Sequence, residues 1–300
     1  MSNFEDCFSE CKFLFDSKEF SRVIVCCDKL LNKGFDDELI LIYKASAFMH
    51  LNEYKNAIEC YDLLLKINKY EYKYWFYKYN AWKQYGLWHN ADDVLFEGLD
   101  FFNNVLNSNP DNFSYFDSKI RILVDLGMYG DALNLIDVRL KDNVNDSRLF
   151  YLKSIILNEW RKYGDALISI DLALKLDNDN HQYHYLKCLI FKEKKMYGDA
   201  LKSINIALDL NSDNFDYLDI KAEILRNLSK FDDAIVYYEK AFKLHPFDDS
   251  INWNICFCYE LKSKALYEQG YYEEALENFD IYLENIPFSF TECNHAPKLN

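Results

Sequence analysis

A motif that recurs every 34 residues constrains the fold of this chain more than any other feature of its sequence. In three consecutive segments between residues 147 and 248, an aromatic residue is followed three positions later by an alanine, at Ala166, Ala200 and Ala234. Motifs with a fixed period of this size are typical of stacked repeat proteins, in which each unit buries its apolar face against its neighbours. The sequence therefore predicts one repeat array rather than several separate globular cores.

The same motif extends over most of the chain. One small or short-branched anchor residue marks each of eight repeats, and five of the seven spacings between anchors are 34 residues while two are 41. Seven additional residues correspond to about two helical turns, so we expect a lengthened second helix in the third repeat and a lengthened first helix in the eighth. The anchors are Val23, Ala57, Ala91, Ala132, Ala166, Ala200, Ala234 and Ala275.

Residues that favour turns stand five positions before the anchors. With only 8 Gly and 4 Pro in 300 residues, the sequence leaves little room for long loops and favours helices. Each repeat is therefore predicted to be a helix-turn-helix hairpin, and the chain to be all-α. The predicted turn residues are Asn52, Gly86, Gly127, Ser229 and Gly270, with the less typical Arg161 and Lys195 at the same place in two further repeats.

The seventh repeat carries a family resemblance. Its residues Phe231, Ala234, Tyr238, Ala241 and Pro246 resemble the signature of the tetratricopeptide repeat (TPR) family, and related motifs cover about residues 4 to 287. The resemblance implies a right-handed superhelical solenoid over residues 1–287, with a concave groove lined by the first helices. It also implies a protein-protein interaction scaffold that holds a peptide or a partner protein in that groove. Residues 288–300 are predicted to be a short mobile tail.

Charge and cysteine content narrow the class of partner and the compartment. Thirty-four Lys and Arg against 49 Asp and Glu give a formal net charge of -15, which disfavours nucleic acids and anionic membranes as partners. The N-terminal segment lacks a secretion signal, and no apolar run reaches the roughly 18 residues of a membrane span. Nine cysteines form no paired framework and are expected to be reduced thiols. These features predict a cytoplasmic protein.

Lysine recurs thirteen residues before the anchor in seven consecutive repeats, and an acidic residue often stands five residues after it. An antiparallel hairpin brings these two positions to about the same height, which predicts ion pairs within repeats. Lys78 and Lys187 lack an acid in this scheme, so they are candidates for binding a ligand carboxylate. The predicted pairs are Lys44 with Asp62, Lys119 with Asp137, Lys153 with Asp171, Lys221 with Glu239, and Lys262 with Asp280.

Aromatic residues are enriched on the predicted first helices. Tyr43, Phe76, Tyr77, Tyr151 and Tyr185 fall where the family lines its groove, and aromatic side chains exposed in a groove suit the anchoring of a bound partner. Aromatics at helical spacing also occur as core or as ordinary solvated residues, so that alternative stays open.

Chaperone adaptors of this family hold a C-terminal carboxylate with lysine, asparagine and arginine side chains from three repeats. At the corresponding places only Asn80 and Arg148 match, so the sequence argues against a full carboxylate clamp. A partial clamp that uses Lys73, Asn80 and Lys83 stays open.

The sequence contains no motif that predicts catalysis or a cofactor. We find no glycine-rich phosphate loop, no HExxH motif and no nucleophile elbow, so no enzyme activity is expected. Cys7, Cys11 and Cys27 could converge on a zinc ion, but cysteine also serves as a small apolar residue at these places, and no metal site is expected. His181 and His184 are interpreted as groove or surface histidines.

A second function from a different class also fits the sequence. The lengthened helices, within residues 91–109 and 250–269, could project as ridges and join copies of the chain into a structural assembly. The protein would then be a homo-oligomer. The identity of a partner does not follow from the sequence under either interpretation.

Overall fold

The computed structural model describes residues 4–35, 38–245 and 249–285, and the predicted tail at 288–300 lies outside them. These residues form α-helices joined by short connections, with no strand among them, which confirms the all-α prediction. The first eight helices are α1 (Phe4–Asp16), α2 (Phe20–Asn32), α3 (Glu38–His50), α4 (Tyr54–Ile67), α5 (Tyr72–Gln84), α6 (Trp88–Ser108), α7 (Phe113–Asp125) and α8 (Tyr129–Asp142). They are followed by α9 (Ser147–Glu159), α10 (Tyr163–Leu176), α11 (His181–Glu193), α12 (Tyr197–Leu210), α13 (Phe215–Asn227), α14 (Phe231–Leu244), α15 (Asp249–Glu268) and α16 (Tyr272–Asn285).

Helices with odd numbers are the first helices of the hairpins, and helices with even numbers are the second. Most helices have 13 or 14 residues, whereas α6 has 21 and α15 has 20. Each hairpin turns at a residue with positive φ, and this residue stands five positions before the anchor in all eight repeats. The left-handed residues are Lys18, Asn52, Gly86, Gly127, Arg161, Lys195, Ser229 and Gly270, which confirms the predicted turns and adds Lys18.

The anchors lie in the packed interior of the hairpins. All eight anchor side chains are buried, with exposed fractions of 4% or less. Helices approach closely at Gly98 in α6, where an added Cβ would lie 3.0 Å from Ile122 and 3.1 Å from Trp75. Such contacts are tighter than nine in ten of those that a real Cβ makes, so α5, α6 and α7 pack closely because residue 98 has no side chain.

The chain divides into two compact units, Met1–Val138 and Arg139–Asn300. The first unit has a core around Trp75, Leu95 and Phe102, and a smaller cluster of apolar side chains around α1 and α2. In the second unit, a core that includes Tyr238 extends from α11 to α15. A single right-handed solenoid over residues 1–287 stays a prediction.

The expectation that the thiols are reduced is wrong for one pair. Cys11 of α1 and Cys26 of α2 form a disulfide, because the two helices bring their Cα atoms to 5.8 Å. Cys27, which the zinc alternative grouped with Cys11, is buried, and burial raises the pKa of its thiol to about 12. It therefore packs as a small apolar side chain.

Candidate functional site

The recurring lysines bind acids of the preceding repeat. Lys44 Nζ lies 2.6 Å from Asp28 Oδ1, Lys78 Nζ lies 2.7 Å from Asp62 Oδ1, and Lys187 Nζ lies 2.8 Å from Asp171 Oδ1. In each pair the acid is sixteen residues earlier, on the second helix of one repeat, and the lysine is on the first helix of the next. We call this series the lysine ladder, and it links consecutive repeats rather than the two helices of one hairpin.

The predicted pairings are therefore wrong. Asp62 was predicted to bind Lys44 but binds Lys78, and Asp171 was predicted to bind Lys153 but binds Lys187. The two lysines that were expected to lack an acid are thus paired. The first helices α5 and α11 are each packed between two antiparallel second helices, so both neighbours offer an acid at a similar height. Periodicity alone does not distinguish these two neighbours.

Lys262 also binds an acid of the preceding repeat, but at a different position along the second helix. Its ammonium lies 2.6 Å from Asp232 Oδ1 of α14, not at the predicted Asp280 of α16. The greater length of α15 moves this lysine about two turns along the antiparallel α14, and Asp232 lies two turns before the position used elsewhere. Lys221 departs from its predicted partner Glu239 in another way, since its Nζ donates to Tyr237 Oη at 2.7 Å and lies 4.0 Å from the centroid of that ring.

Lys119 differs from the other ladder lysines. The residue sixteen positions earlier is Asn103, because α6 is longer than the other second helices. Within the part of the chain that the structure describes, Lys119 has no ion pair, hydrogen bond or ring contact, so its predicted pairing with Asp137 is not formed. Burial lowers the pKa of the Lys119 ammonium, since no ion pair offsets the loss of water.

Four of the predicted contact residues share one face of α5. Lys73, Phe76, Asn80 and Lys83 stand three or four residues apart in turn, which is the spacing of one helical face. Lys73 is exposed and the other three are half-buried. The Lys83 ammonium lies 4.8 Å from the Tyr79 ring centroid and 5.1 Å from that of Trp88, so aromatic rings already hold it in place.

The remaining predicted residues of the first unit lie elsewhere. Tyr77 packs at 5.8 Å from Tyr61 of α4 and is directed toward the preceding hairpin. Tyr43 of α3 packs edge-on against Phe8 and Phe15 of α1, at 5.3 and 5.1 Å between ring centroids. Both rings are half-buried by these contacts.

In the second unit, Tyr151 and Tyr185 are part of an aromatic row. Tyr151 of α9 stacks at 4.9 Å on Tyr183 of α11, and Tyr185 of α11 lies 4.6 Å from Tyr217 of α13. Tyr183 and Tyr217 are buried, while Tyr151 and Tyr185 are half-buried. We call these four residues the tyrosine row. It joins three consecutive first helices of this unit.

Hydrogen bonds fix the buried members of the tyrosine row. The Tyr183 hydroxyl lies 3.2 Å from Ser147 Oγ, and the Tyr217 hydroxyl lies 2.7 Å from His181 Nδ1. Burial raises the pKa of Tyr217 to about 12 and also raises that of Tyr185. These phenols are therefore neutral donors and acceptors at physiological pH.

Arg148 is held locally by an acid. Its guanidinium contacts the carboxylate of Asp146 at 2.8 and 3.0 Å, and the same carboxylate accepts a hydrogen bond from the Arg148 backbone N–H at the start of α9. These hydrogen bonds hold the pKa of Asp146 below its usual value. A ligand carboxylate at Arg148 would have to compete with this helix cap.

Several residues that form these contacts were not predicted correctly from the sequence. Asp28 stands five residues after the anchor Val23 and fits the acid pattern, so the signal was present in the first repeat. Tyr217 repeats Tyr183 at a distance of 34 residues, which could have indicated the tyrosine row. His184 was interpreted as a groove or surface residue, but it is buried, with Nε2 2.8 Å from the Asn178 carbonyl oxygen.

Consecutive helical hairpins, each with a small buried anchor, define the chain as a helical-hairpin repeat protein. The family model of the tetratricopeptide repeat matches residues 42–70, which include α4, and residues 215–248, which include α13 and α14. Both matched segments lie within the part of the chain that resembles this family in sequence.

Several solved structures align with the chain at low identity. MamA from Desulfovibrio magneticus RS-1 is 16% identical over 61% of this chain and 98% of its own, with a TM-score of 0.46. The thermophilic TPR protein TTC0263 of Thermus thermophilus is 18% identical over 59% and 93%, with a TM-score of 0.48. The human IFIT1 dimer with PPP-AAAA is 13% identical over 89% and 69%, with a TM-score of 0.46. With TM-scores below 0.5, these likenesses carry no inference about function.

The comparison with curated proteins gives no significant match. Among the described helices, none combines the length and the apolar character that crossing a lipid bilayer requires.

Proposed function

We propose that this protein is a non-catalytic interaction scaffold that binds a peptide or a partner protein along the surface of its first helices. The repeat fold supports the proposal because stacked hairpins present rows of side chains from successive first helices. Two such surfaces are candidates, each within one unit. They are the face of α5 with Lys73, Phe76, Asn80 and Lys83, and the tyrosine row.

The tyrosine row is the observation that carries the proposal. Its buried members are fixed by hydrogen bonds at 2.7 and 3.2 Å, and its half-buried members rest on them at 4.6 and 4.9 Å. A partner that contacts Tyr151 and Tyr185 therefore meets rings that have already lost most of their freedom. Preorganised aromatic side chains give a large contact area at a low cost in conformational entropy.

Charge supports a protein partner in the proposal. A net charge of -15 repels nucleic acids and anionic lipids and accelerates the association of partners that carry basic residues. We therefore expect a partner segment with aromatic or aliphatic anchors and a basic surrounding. The proposed function requires no cofactor, metal or catalytic residue.

Site-specific photocrosslinking tests the proposal. A photoreactive phenylalanine analogue replaces Tyr185 in one variant and Ile206, an exposed residue on the second helix α12, in a matched control. In cells that express the protein, we expect a partner to crosslink from position 185 and not from position 206. With the partner purified, Tyr151→Ala combined with Tyr185→Ala should raise its dissociation constant at least about tenfold, as expected for loss of aromatic anchors.

Two outcomes count against this surface. Equal crosslinking from positions 185 and 206 would indicate contact with the second helices instead. An unchanged dissociation constant in the double tyrosine variant would show that the row is structural only.

Self-assembly is a second candidate, favoured by an apolar patch on the last hairpin. Tyr267, Tyr272 and Leu276 are 65%, 63% and 61% exposed, and with Phe279 they line a cavity of about 510 Å³ between α15 and α16. In the preceding hairpin of α13 and α14, the corresponding face is covered by the next first helix, α15. A first hairpin of a second copy could continue the array at this face.

Sedimentation velocity over a range of concentrations separates the two candidates. If the chain assembles through this patch, its mass rises with concentration and Leu276→Lys returns it to a monomer. Leu283→Lys is the matched control, since Leu283 is also exposed on α16 but does not line the cavity. A monomer at every concentration would exclude this second candidate.

A further inference from the structure

Three clefts of the same construction lie along the second helices. Each is formed where one first helix packs between two second helices, and each contains one lysine of the ladder. The clefts formed by α4, α5 and α6 and by α10, α11 and α12 have volumes of about 250 and 450 Å³ and contain Lys78 and Lys187. The third cleft, formed by α6, α7 and α8, has a volume of about 320 Å³ and contains Lys119.

Lys119 in the third cleft differs from Lys78 and Lys187 in having no aspartate partner in the part of the chain that the structure describes. In the first two clefts an aspartate carboxylate binds the ammonium at 2.7 or 2.8 Å. At the corresponding position the third cleft has Asn103, whose neutral amide gives the ammonium no compensating charge. Among the described residues, none forms an ion pair or a hydrogen bond with Lys119. A half-buried ammonium without an ion pair is costly, and a bound anion would reduce that cost.

The other walls of the third cleft restrict the anion. Leu99, Leu123, Leu135 and Val138 form an apolar lining, and Asn134 adds a second amide beside that of Asn103. Two amides can donate to a carboxylate that binds the ammonium. Asp131 also lines the cleft without pairing with Lys119, and its charge disfavours ligands that carry more than one negative charge.

We propose that this cleft binds a monocarboxylate joined to aliphatic carbons, with Lys119 as the cation that holds the carboxylate. Asn103 and Asn134 donate to its oxygens, and the aliphatic part packs against the leucines and Val138. The site is separate from the surface of the first helices and does not depend on the proposed function. The same chemistry occurs in a free branched-chain acid and in a glutamate side chain flanked by leucines on a peptide.

Titration of the protein with 4-methylpentanoate, followed by amide chemical shifts in NMR spectra, tests the proposal. We expect shifts at Leu99, Leu123 and Leu135 with a dissociation constant on the order of 1 mM, as suits so small a ligand. The isosteric 4-methylpentanamide lacks the negative charge and should bind at least about tenfold more weakly. Equal binding of the acid and the amide would overturn the proposal, as would the absence of shifts at these three residues.

Three variants locate the binding in the third cleft. Lys119→Met should weaken the binding of 4-methylpentanoate at least about tenfold, whereas Lys78→Met, in the cleft that already has its aspartate, should leave it unchanged. Asn103→Asp keeps the lysine but supplies an internal carboxylate, and it should also abolish binding. Retention of binding in both Lys119→Met and Asn103→Asp would contradict the role of Lys119.

A pair of peptides distinguishes the two sources of the carboxylate. Acetyl-Leu-Glu-Leu-amide carries the carboxylate on a side chain, and acetyl-Leu-Gln-Leu-amide is its neutral control. If the glutamate peptide binds more tightly than 4-methylpentanoate and the glutamine peptide does not bind, the natural occupant is an acidic side chain of a partner. If the free acid binds and neither peptide does, the occupant is a small carboxylate.

Discussion

The two longest helices, α6 and α15, show how one kind of insertion can have opposite electrostatic results. Each is about two turns longer than its equivalents, and each shifts the register between a ladder lysine and the neighbouring helix. In the second unit the shift brings Lys262 to Asp232 at 2.6 Å, whereas in the first unit it brings Lys119 to Asn103. An insertion of seven residues preserves the buried face of a helix, but the charge that it brings opposite the lysine depends on the local sequence.

The largest effect is expected for the core of the lengthened part of α6. Phe102 is fully buried there, so Phe102→Ala should lower the free energy of unfolding by about 3–5 kcal/mol, measured by urea denaturation. Phe96 on the same helix is 48% exposed, and Phe96→Ala should change it by less than about 0.5 kcal/mol. Similar small effects of both substitutions would mean that the added turns contribute little to the core.

A double-mutant cycle on Asp62 tests whether the ladder joins consecutive repeats. The Lys78 side chain is only 15% exposed but that of Asp62 is 44% exposed, so we expect a coupling free energy of about 0.5–1 kcal/mol between them. The cycle of Asp62 with Lys44 should give a coupling close to zero. If Asp62 instead coupled more strongly with Lys44 than with Lys78, the ion pair would lie within one repeat.

Supplying the missing acid should make the third cleft resemble the other two. Asn103→Asp is expected to raise the free energy of unfolding by up to about 1 kcal/mol in urea titrations, because Lys119 gains an ion pair. Phe96→Asp is the control, since Phe96 occupies the position after the anchor that carries the acid in repeats of ordinary length. An equal stabilisation by both substitutions would contradict the shift in register.

The smallest effect is expected in the pH dependence of stability. Burial lowers the pKa of Lys119 in the folded protein below its value of 10.5 in the unfolded chain. Between these two pKa values, the unfolded state binds more protons than the folded state. Lys119 therefore destabilises the fold fully below its folded pKa, and this penalty disappears as the pH rises to 10.5.

The measurement compares the wild type with Lys119→Met, in which the penalty is absent at every pH. The advantage of the variant in free energy of unfolding should decrease from about pH 7 to about pH 10.5. A constant difference over this range would show that the ammonium is fully hydrated.

The fold could be predicted from the sequence because its determinants are local and periodic. Anchors such as Ala166 and turn residues such as Gly127 recur at fixed spacings, and each needs only its own hairpin to be interpreted. Lys18, Arg161 and Lys195 adopt the left-handed conformation although their residue types do not favour it. Their position in the repeat therefore determines the backbone conformation.

The partners of side chains could not be predicted in the same way. Asp62 has a lysine on both neighbouring first helices, Lys44 and Lys78, and only the packing of the hairpins decides between them. Similarly, Tyr77 and Tyr151 occupy first helices, but one packs against the preceding hairpin and the other enters the tyrosine row. The partner of each side chain depends on contacts between repeats, and the period of the sequence does not specify those contacts.

Because the ladder crosses from one repeat to the next, it contributes to the cooperativity of unfolding. In an array of repeats, the free energy of each interface determines whether neighbouring hairpins open together or separately. The ion pair of Lys78 strengthens the interface between α4 and α5, whereas the interface between α6 and α7 lacks such a pair at Lys119. We therefore expect amide hydrogens at the start of α7 to exchange through partial opening of this joint before the first unit unfolds as a whole.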